Sequence, residues 1–174
     1  RILHLLVGVI VGENTDGGAA EGSIAAVLQR AWAPKRTKAQ NMIDAALILC
    51  ADHELNASAF TARCVASTGA TPYAAVGAGL AALSGPKHGG SAHRVDRLFD
   101  EAESLGAKEA VARRLKQGEM LHGFGHVIYR GMDPRAVVLI AMLEEYLPRA
   151  KALKTARALV DEVGSVLDLS ANID

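Results

Sequence analysis

The 174-residue sequence predicts an all-α protein, and three observations carry that expectation. Ala occupies 32 positions and Gly 17, so the strongest helix former is joined by the smallest residue, a mixture suited to closely packed helices. Apolar residues recur at helical spacing, as in Ile24, Val27, Leu28 and Ala31, and again in Val95, Leu98, Phe99 and Ala102. Two hydroxyl- or carboxylate-proline pairs, Thr71-Pro72 and Asp133-Pro134, have the form of a helix cap followed by proline at the first helical position.

Taken in order, the apolar run Ile2 to Val11 is too short to span a bilayer. It also lacks the basic start and small-residue cleavage site of a signal peptide, so it reads as a core segment. The cluster Asn14-Thr15-Asp16-Gly17-Gly18 is a turn before the helix that begins near Ile24. A basic loop around Pro34 leads to Met42–Leu49, apolar at nearly every position and therefore expected to be a helix buried on most sides. Asp52-His53-Glu54 interrupts it, and helical spacing resumes from Ala57 to Ser67. Thr71-Pro72 starts a helix running to about Ser84, which Gly85-Pro86-Lys87-His88-Gly89-Gly90 ends. Ser91 is placed to cap the following helix, and another helix covers about Lys108 to Gln117. A second glycine-punctuated loop, Gly118 to Gly131, contains His122 and His126. Asp133-Pro134 opens a helix to about Tyr146, and after Pro148 a last helix reaches about Val163. The break at Gly89-Gly90 is the expected domain boundary or hinge.

Nineteen Lys/Arg balance nineteen Asp/Glu, which argues against the one-sided positive charge that nucleic-acid or acidic-membrane binding needs. Cys50 and Cys64 show no disulfide or CxxC spacing; they read as free buried thiols, which fit a cytoplasmic protein.

His53, His88 and His126 all fall at breaks between helices, two of them beside glycines that allow positive φ or close approach of a ligand. Histidine exchanges protons near neutral pH, so three such residues suggest acid–base or hydrogen-bond chemistry. A metal site is the first rival. His122 and His126 are four apart, but Gly123 and Gly125 between them disfavour the helix that would align them, and no metal is expected. A dinucleotide fingerprint is the second, since Gly77-x-Gly79-x-x-Ala82 matches it in letters, yet it lies inside a helix already begun at Pro72. Nucleophile-elbow and phosphate-loop motifs do not occur. Arg135, at the start of its helix, and Arg130 suit a carboxylate- or phosphate-bearing ligand.

Four blocks in order, Ala51-Asp52-His53-Glu54-Leu55-Asn56-Ala57-Ser58, Gly85 to Gly90, Gly123-Phe124-Gly125-His126 with Asp133-Pro134-Arg135, and Asn172-Ile173-Asp174, resemble the citrate synthase family. The resemblance implies a citrate synthase-like multihelical fold, with residues 1–90 part of a large domain and 91–174 a small domain on the CoA side. By position, it implies that His53, Arg135 and Asn172 bind oxaloacetate. It gives His88 the thioester oxygen of acetyl-CoA, His126 the oxaloacetate carbonyl, and Asp174 the proton taken from the acetyl methyl. Arg130 resembles a CoA phosphate contact, with Leu121, His122, Gly123, Phe124 and Gly125 offering backbone to the adenine. The implied reaction condenses oxaloacetate with acetyl-CoA, a cosubstrate, through an enolate, and then hydrolyses citryl-CoA; no other cofactor is implied. The same motifs would serve a 2-methylcitrate synthase or a citryl-CoA lyase, and a non-catalytic ligand-binding or scaffold protein is the alternative of another class. Family members are typically homodimers, for which the helix Pro72 to Ser84 is a suitable interface.

Two departures are visible: His122 stands where the family often has proline, and Ser91-Ala92 where it has Ala-Asn. Family members are more than twice this long, and further oxaloacetate-binding arginines follow their Asn-x-Asp segment. The chain therefore reads as an internal segment, expected to show little activity by itself.

Overall fold

The structure, a computed structural model, describes residues 2–12, 22–51, 55–126 and 128–173. Nine α-helices lie among the described residues, in agreement with the all-α expectation. They divide into two compact units, residues 1–53 and 54–174.

The first unit holds α1 (Ile2–Val11), α2 (Ile24–Trp32) and α3 (Ala39–Leu49). Ser23 caps α2 by accepting from the Ala26 N–H at 3.2 Å. Ala25, Val27 and Leu28 of α2 form the buried stripe between its neighbours, and Gln29 donates to the carbonyls of Ala33 and Arg36 to tie down the basic loop. The expectation that Met42–Leu49 is buried on most sides is not met: no residue of α3 is fully buried, and Ile48 is 66% exposed. Within this unit α2 is its main partner, and a helix packed against one neighbour hides only one stripe. Cys50, which ends α3, is exposed rather than buried, as is Cys64 in the second unit.

The second unit opens with a helical hairpin, α4 (Ala57–Ser67) and α5 (Pro72–Leu83). Asn56 and Thr71 cap these helices, accepting from the N–H groups of Ala59 and Ala74 at 2.9 and 3.3 Å. Gly79 sits where an added Cβ would meet Ala62 and the Ser58 carbonyl at 3.4 Å, so this glycine lies in the packing seam of the two helices. Cys64 is exposed because α4 also turns only one side toward α5.

Next come a 3-10 turn at Gly89–Ser91, α6 (Ala92–Leu105), α7 (Ala107–Lys116), α8 (Pro134–Tyr146) and α9 (Lys151–Leu167). Ser91 makes no side-chain cap bond, because it is itself helical at φ −73°, ψ −20°, and a capping side chain needs extended backbone at that position. Leu98 and Ala102 of α6, Ala110 and Val111 of α7, Leu121, and Leu159 and Val163 of α9 make one core, with Phe124 and Leu169 packed on its edge. Arg114, 4% exposed, donates two hydrogen bonds to Glu101 at 3.0 and 2.9 Å and pairs with Glu119 at 3.3 Å. That bidentate contact ties α7 to α6. No helix among the described residues is long and apolar enough to cross a membrane.

Candidate active site

His88 stands on a tight turn whose glycines have a steric cause. The Gly85 carbonyl accepts from the N–H groups of both His88 (2.9 Å) and Gly90 (3.2 Å), folding the chain back on itself. A Cβ on Gly90 would lie 2.5 Å from the Ser84 carbonyl oxygen and 2.8 Å from that of Gly85, and one on Gly89 would lie 2.7 Å from Leu83. Neither glycine has positive φ; close backbone approach is what requires Gly90, while at Gly89 the Leu83 side chain stands closest. Gly90→Ala is therefore expected to cost about 1–3 kcal/mol through forced backbone displacement. A thermal melt of the variant checks this, and an unchanged midpoint would contradict it.

The turn aims His88 Nε2 at Ser58 Oγ, 2.9 Å away, while the Ser58 hydroxyl donates to Asn56 Oδ1 at 2.9 Å. A serine hydroxyl has one proton, here given to Asn56, so Nε2 is the donor in the His88–Ser58 bond. Asn56 both caps α4 and anchors this relay, which joins the turn to the first turn of α4.

The second group of residues is assembled by the loop after Leu121. Gly123 and Gly125 have φ of +86° and +73°, which glycine adopts without strain. The loop pairs with the end of the described chain: Gly125 N–H donates to Ser170 O (2.8 Å), Asn172 N–H donates to Gly123 O (2.9 Å), and Phe124 bridges Ala171. The Asn172 amide side chain also donates to the Gly125 carbonyl. Asn172 is thus fastened beside His126, although the two are far apart in sequence.

His126 Nδ1 accepts the N–H groups of Ile128 (3.0 Å) and Tyr129 (3.2 Å), which places the proton of a neutral ring on Nε2. Nε2 lies 3.4 Å from Arg135 Nη2. Arg135 is gripped by Asp133: Nε meets Oδ1 at 3.0 Å and Nη2 meets Oδ2 at 2.8 Å, while the Arg135 backbone N–H donates to Oδ1 at 2.9 Å. Asp133 is 1% exposed and also accepts from the Ile173 N–H at 3.3 Å. Burial works to raise its pKa, but the hydrogen bonds from the Arg135 side chain and backbone and from Ile173, with the attraction of the guanidinium, outweigh it and hold the carboxyl below its ordinary value. An imidazole N–H and a guanidinium that face each other at 3.4 Å are both donors, so they suit one shared acceptor such as a carbonyl or carboxylate oxygen.

His122 accepts from Arg94 Nη1 at 2.9 Å through Nε2. Burial first, and then the nearby Arg94 and Arg114 cations, lower its pKa against the upward pull of Glu119, consistent with a neutral acceptor ring. His122 and His126 lie on a loop and turn to different partners. Leu121 is buried in the core, and Arg130 is exposed.

The fold thus gathers Gly123, Phe124, Gly125, His126, Arg135 and Asn172, whereas the described contacts of His88 run to Ser58. His53 and Asp174 lie outside the described residues. Sequence reasoning had Ser58 only as the last residue of the Ala51–Ser58 block, and missed Arg94, Tyr129 and the second role of Asp133. The spacing Asp133-x-Arg135 was the available signal, since opposite charges two residues apart at a helix start can pair.

The profile of the citrate synthase C-terminal domain matches residues 11–174. "Putative citrate synthase 2" of Mycobacterium tuberculosis is 50% identical over 103 residues, covering 59% of this chain and 28% of that protein. Among solved structures, citryl-CoA lyase from Hydrogenobacter thermophilus superposes with a TM-score of 0.76 at 26% identity, over 88% of this chain and 62% of that one. Citrate synthase from Thermoplasma acidophilum, in a ternary complex with carboxymethyl coenzyme A and oxaloacetate, gives 0.73 at 26% identity, over 98% of this chain and 48% of that one. The match spans less than a third of the length of that Mycobacterium relative. With the profile running through nearly its whole length, over the His88 turn and the His126–Arg135 cluster alike, the chain belongs to the citrate synthase family.

Proposed function

We propose that the protein condenses oxaloacetate with acetyl-CoA by way of an enolate and then hydrolyses citryl-CoA to citrate and CoA. The observation that carries this reading is that His126 Nε2 and Arg135 Nη2 stand 3.4 Å apart, beside the loop to which Asn172 is fastened. In the proposal, Arg135 pairs with a carboxylate of oxaloacetate and His126 donates to its carbonyl, so that the electrophilic carbon is polarised. A thioester α-proton is only weakly acidic, so the enolate oxygen needs a donor where its charge develops. His88 supplies that donor by turning its Nε2–H from Ser58 to the enolate oxygen, and Asp174 takes the proton; His53 and Asn172 complete the keto-acid site. The loop Leu121 to Gly125 and Arg130 hold CoA. Residues 1–90 act as part of a large domain and 91–174 as the small domain that closes over the substrates and keeps water from the enolate. The protein works as a cytoplasmic homodimer in this reading, with the exposed Tyr73, Leu80 and Leu83 of α5 offering apolar surface to a second copy.

Thiol release by the whole protein tests the proposal. Oxaloacetate-dependent release of CoA from acetyl-CoA is expected, and is expected to be lost in His88→Ala. Wild-type protein without such release would overturn it. The ratio of kcat/KM for acetyl-CoA and propionyl-CoA separates citrate from 2-methylcitrate synthesis. The likeness to a citryl-CoA lyase favours a second reading, cleavage of citryl-CoA through the same residues, which incubation with citryl-CoA alone would reveal as acetyl-CoA and oxaloacetate.

A further inference from the structure

Among the described residues, Tyr129 meets both members of the donor pair. Its ring centroid is 4.7 Å from that of His126, with the planes inclined by 38°, and the Arg135 Cζ lies over the same ring at 5.5 Å. Its backbone N–H is also one of the two that fix His126 Nδ1. We propose that Tyr129 is a positioning residue that holds the His126 imidazole and the Arg135 guanidinium at the angle needed to share one oxygen of the keto acid. This inference rests on the condensation reading above.

The 3.4 Å contact between the two groups is long, so their mutual orientation depends on what holds each of them from outside. Asp133 grips Arg135 along the Nε–Nη2 edge. An edge contact sets where a guanidinium lies, while a contact on its face sets how its plane tilts. The electron-rich face of Tyr129 provides the second through the attraction of a cation to an aromatic quadrupole. The imidazole is in the same position: the N–H groups of Ile128 and Tyr129 fix Nδ1, and the neighbouring ring limits its rotation about that point. An aliphatic side chain would fill a similar volume without offering that face to the guanidinium. The ring, and not the hydroxyl, is the working part.

Steady-state kinetics on Tyr129→Phe and Tyr129→Leu in the whole protein test this. Phenylalanine keeps the ring and is expected to stay within about twofold of wild type for both substrates. Leucine is expected to raise the KM for oxaloacetate about tenfold, with the KM for acetyl-CoA unmoved. A leucine variant equal to wild type would overturn the proposal. So would a loss shared by both substrates and both variants, because that pattern marks a merely structural role. Should wild-type protein prove unable to condense its substrates, the function reading fails by itself, and the ring 15N shifts of His126 decide the positioning role. Those shifts are expected to move in Tyr129→Leu and not in Tyr129→Phe; shifts unchanged in the leucine variant would overturn the role.

Discussion

Asp133→Ala is expected to destabilise the unit 54–174 by about 3–5 kcal/mol, the cost of leaving a buried cation without its partner. The Arg135 side chain is 12% exposed and Asp133 only 1%, so little water is at hand to replace the carboxylate. The same change removes the acceptor of the Ile173 N–H, which fastens the end of the described chain to the start of α8. Hydrogen exchange at the Ile173 amide should therefore accelerate together with a fall in the melting midpoint. The double variant Asp133→Ala/Arg135→Met should recover part of the loss, because neither charge is then stranded. An Asp133→Ala protein that melts within about 1 kcal/mol of wild type would show that the pair does not hold the site together. The pH dependence has a definite sign. The folded carboxyl titrates below its unfolded value near 3.8, so its stabilising contribution is full above that value and is lost as pH falls through the lower folded one. Asp133→Asn should flatten that acid limb.

His126→Ala is expected to lower kcat/KM for oxaloacetate-dependent thiol release by about 10²–10³-fold, the usual loss when one donor to a developing oxyanion or polarised carbonyl is removed. The fold should tolerate the change, since His126 is half-buried on a loop outside the core that Leu98, Val111, Leu159 and Val163 build. Circular dichroism and melting midpoint close to wild type, together with the kinetic loss, are the expected pair of results. Turnover retained within tenfold would remove His126 from the proposed chemistry. Loss of activity with a collapsed melting curve would instead mark it as a structural residue.

How far the sequence could be read depended on whether the physics at each position was local. Thr71-Pro72 and Asp133-Pro134 start α5 and α8 as expected, because a capping oxygen and the residue it serves lie two or three positions apart. The core stripe Leu98 and Ala102 was likewise visible from its spacing. Ser91 failed as a cap for a reason outside that window: the Gly85–Gly90 turn feeds a 3-10 turn into α6 and leaves Ser91 helical. The exposure of Ile48 and of both cysteines was equally hidden, because apolar spacing tells which face of a helix can be buried but not how many neighbours will cover it.

For the site, the four blocks and their order were enough to expect the family, and the histidines, glycines and Arg135 were all in view. Tertiary structure supplied the connections between them. It showed that Asp133 is a buried partner of Arg135 as well as a cap, and that Ser58 receives His88. It also fastened Asn172 to Gly123 and Gly125.

The sequence by itself determined the all-α class, the helix starts and the residue types available for chemistry, since these follow from side-chain periodicity and from bonds that span a few residues. Only the tertiary structure decided which glycines are sterically compelled, which charges are buried together and which donors face one another. Those outcomes depend on contacts between distant residues, such as the 3.4 Å spacing of His126 and Arg135, and on the absence of room for a side chain at Gly90, where a Cβ would come within 2.5 Å of the Ser84 carbonyl oxygen; no local pattern encodes them.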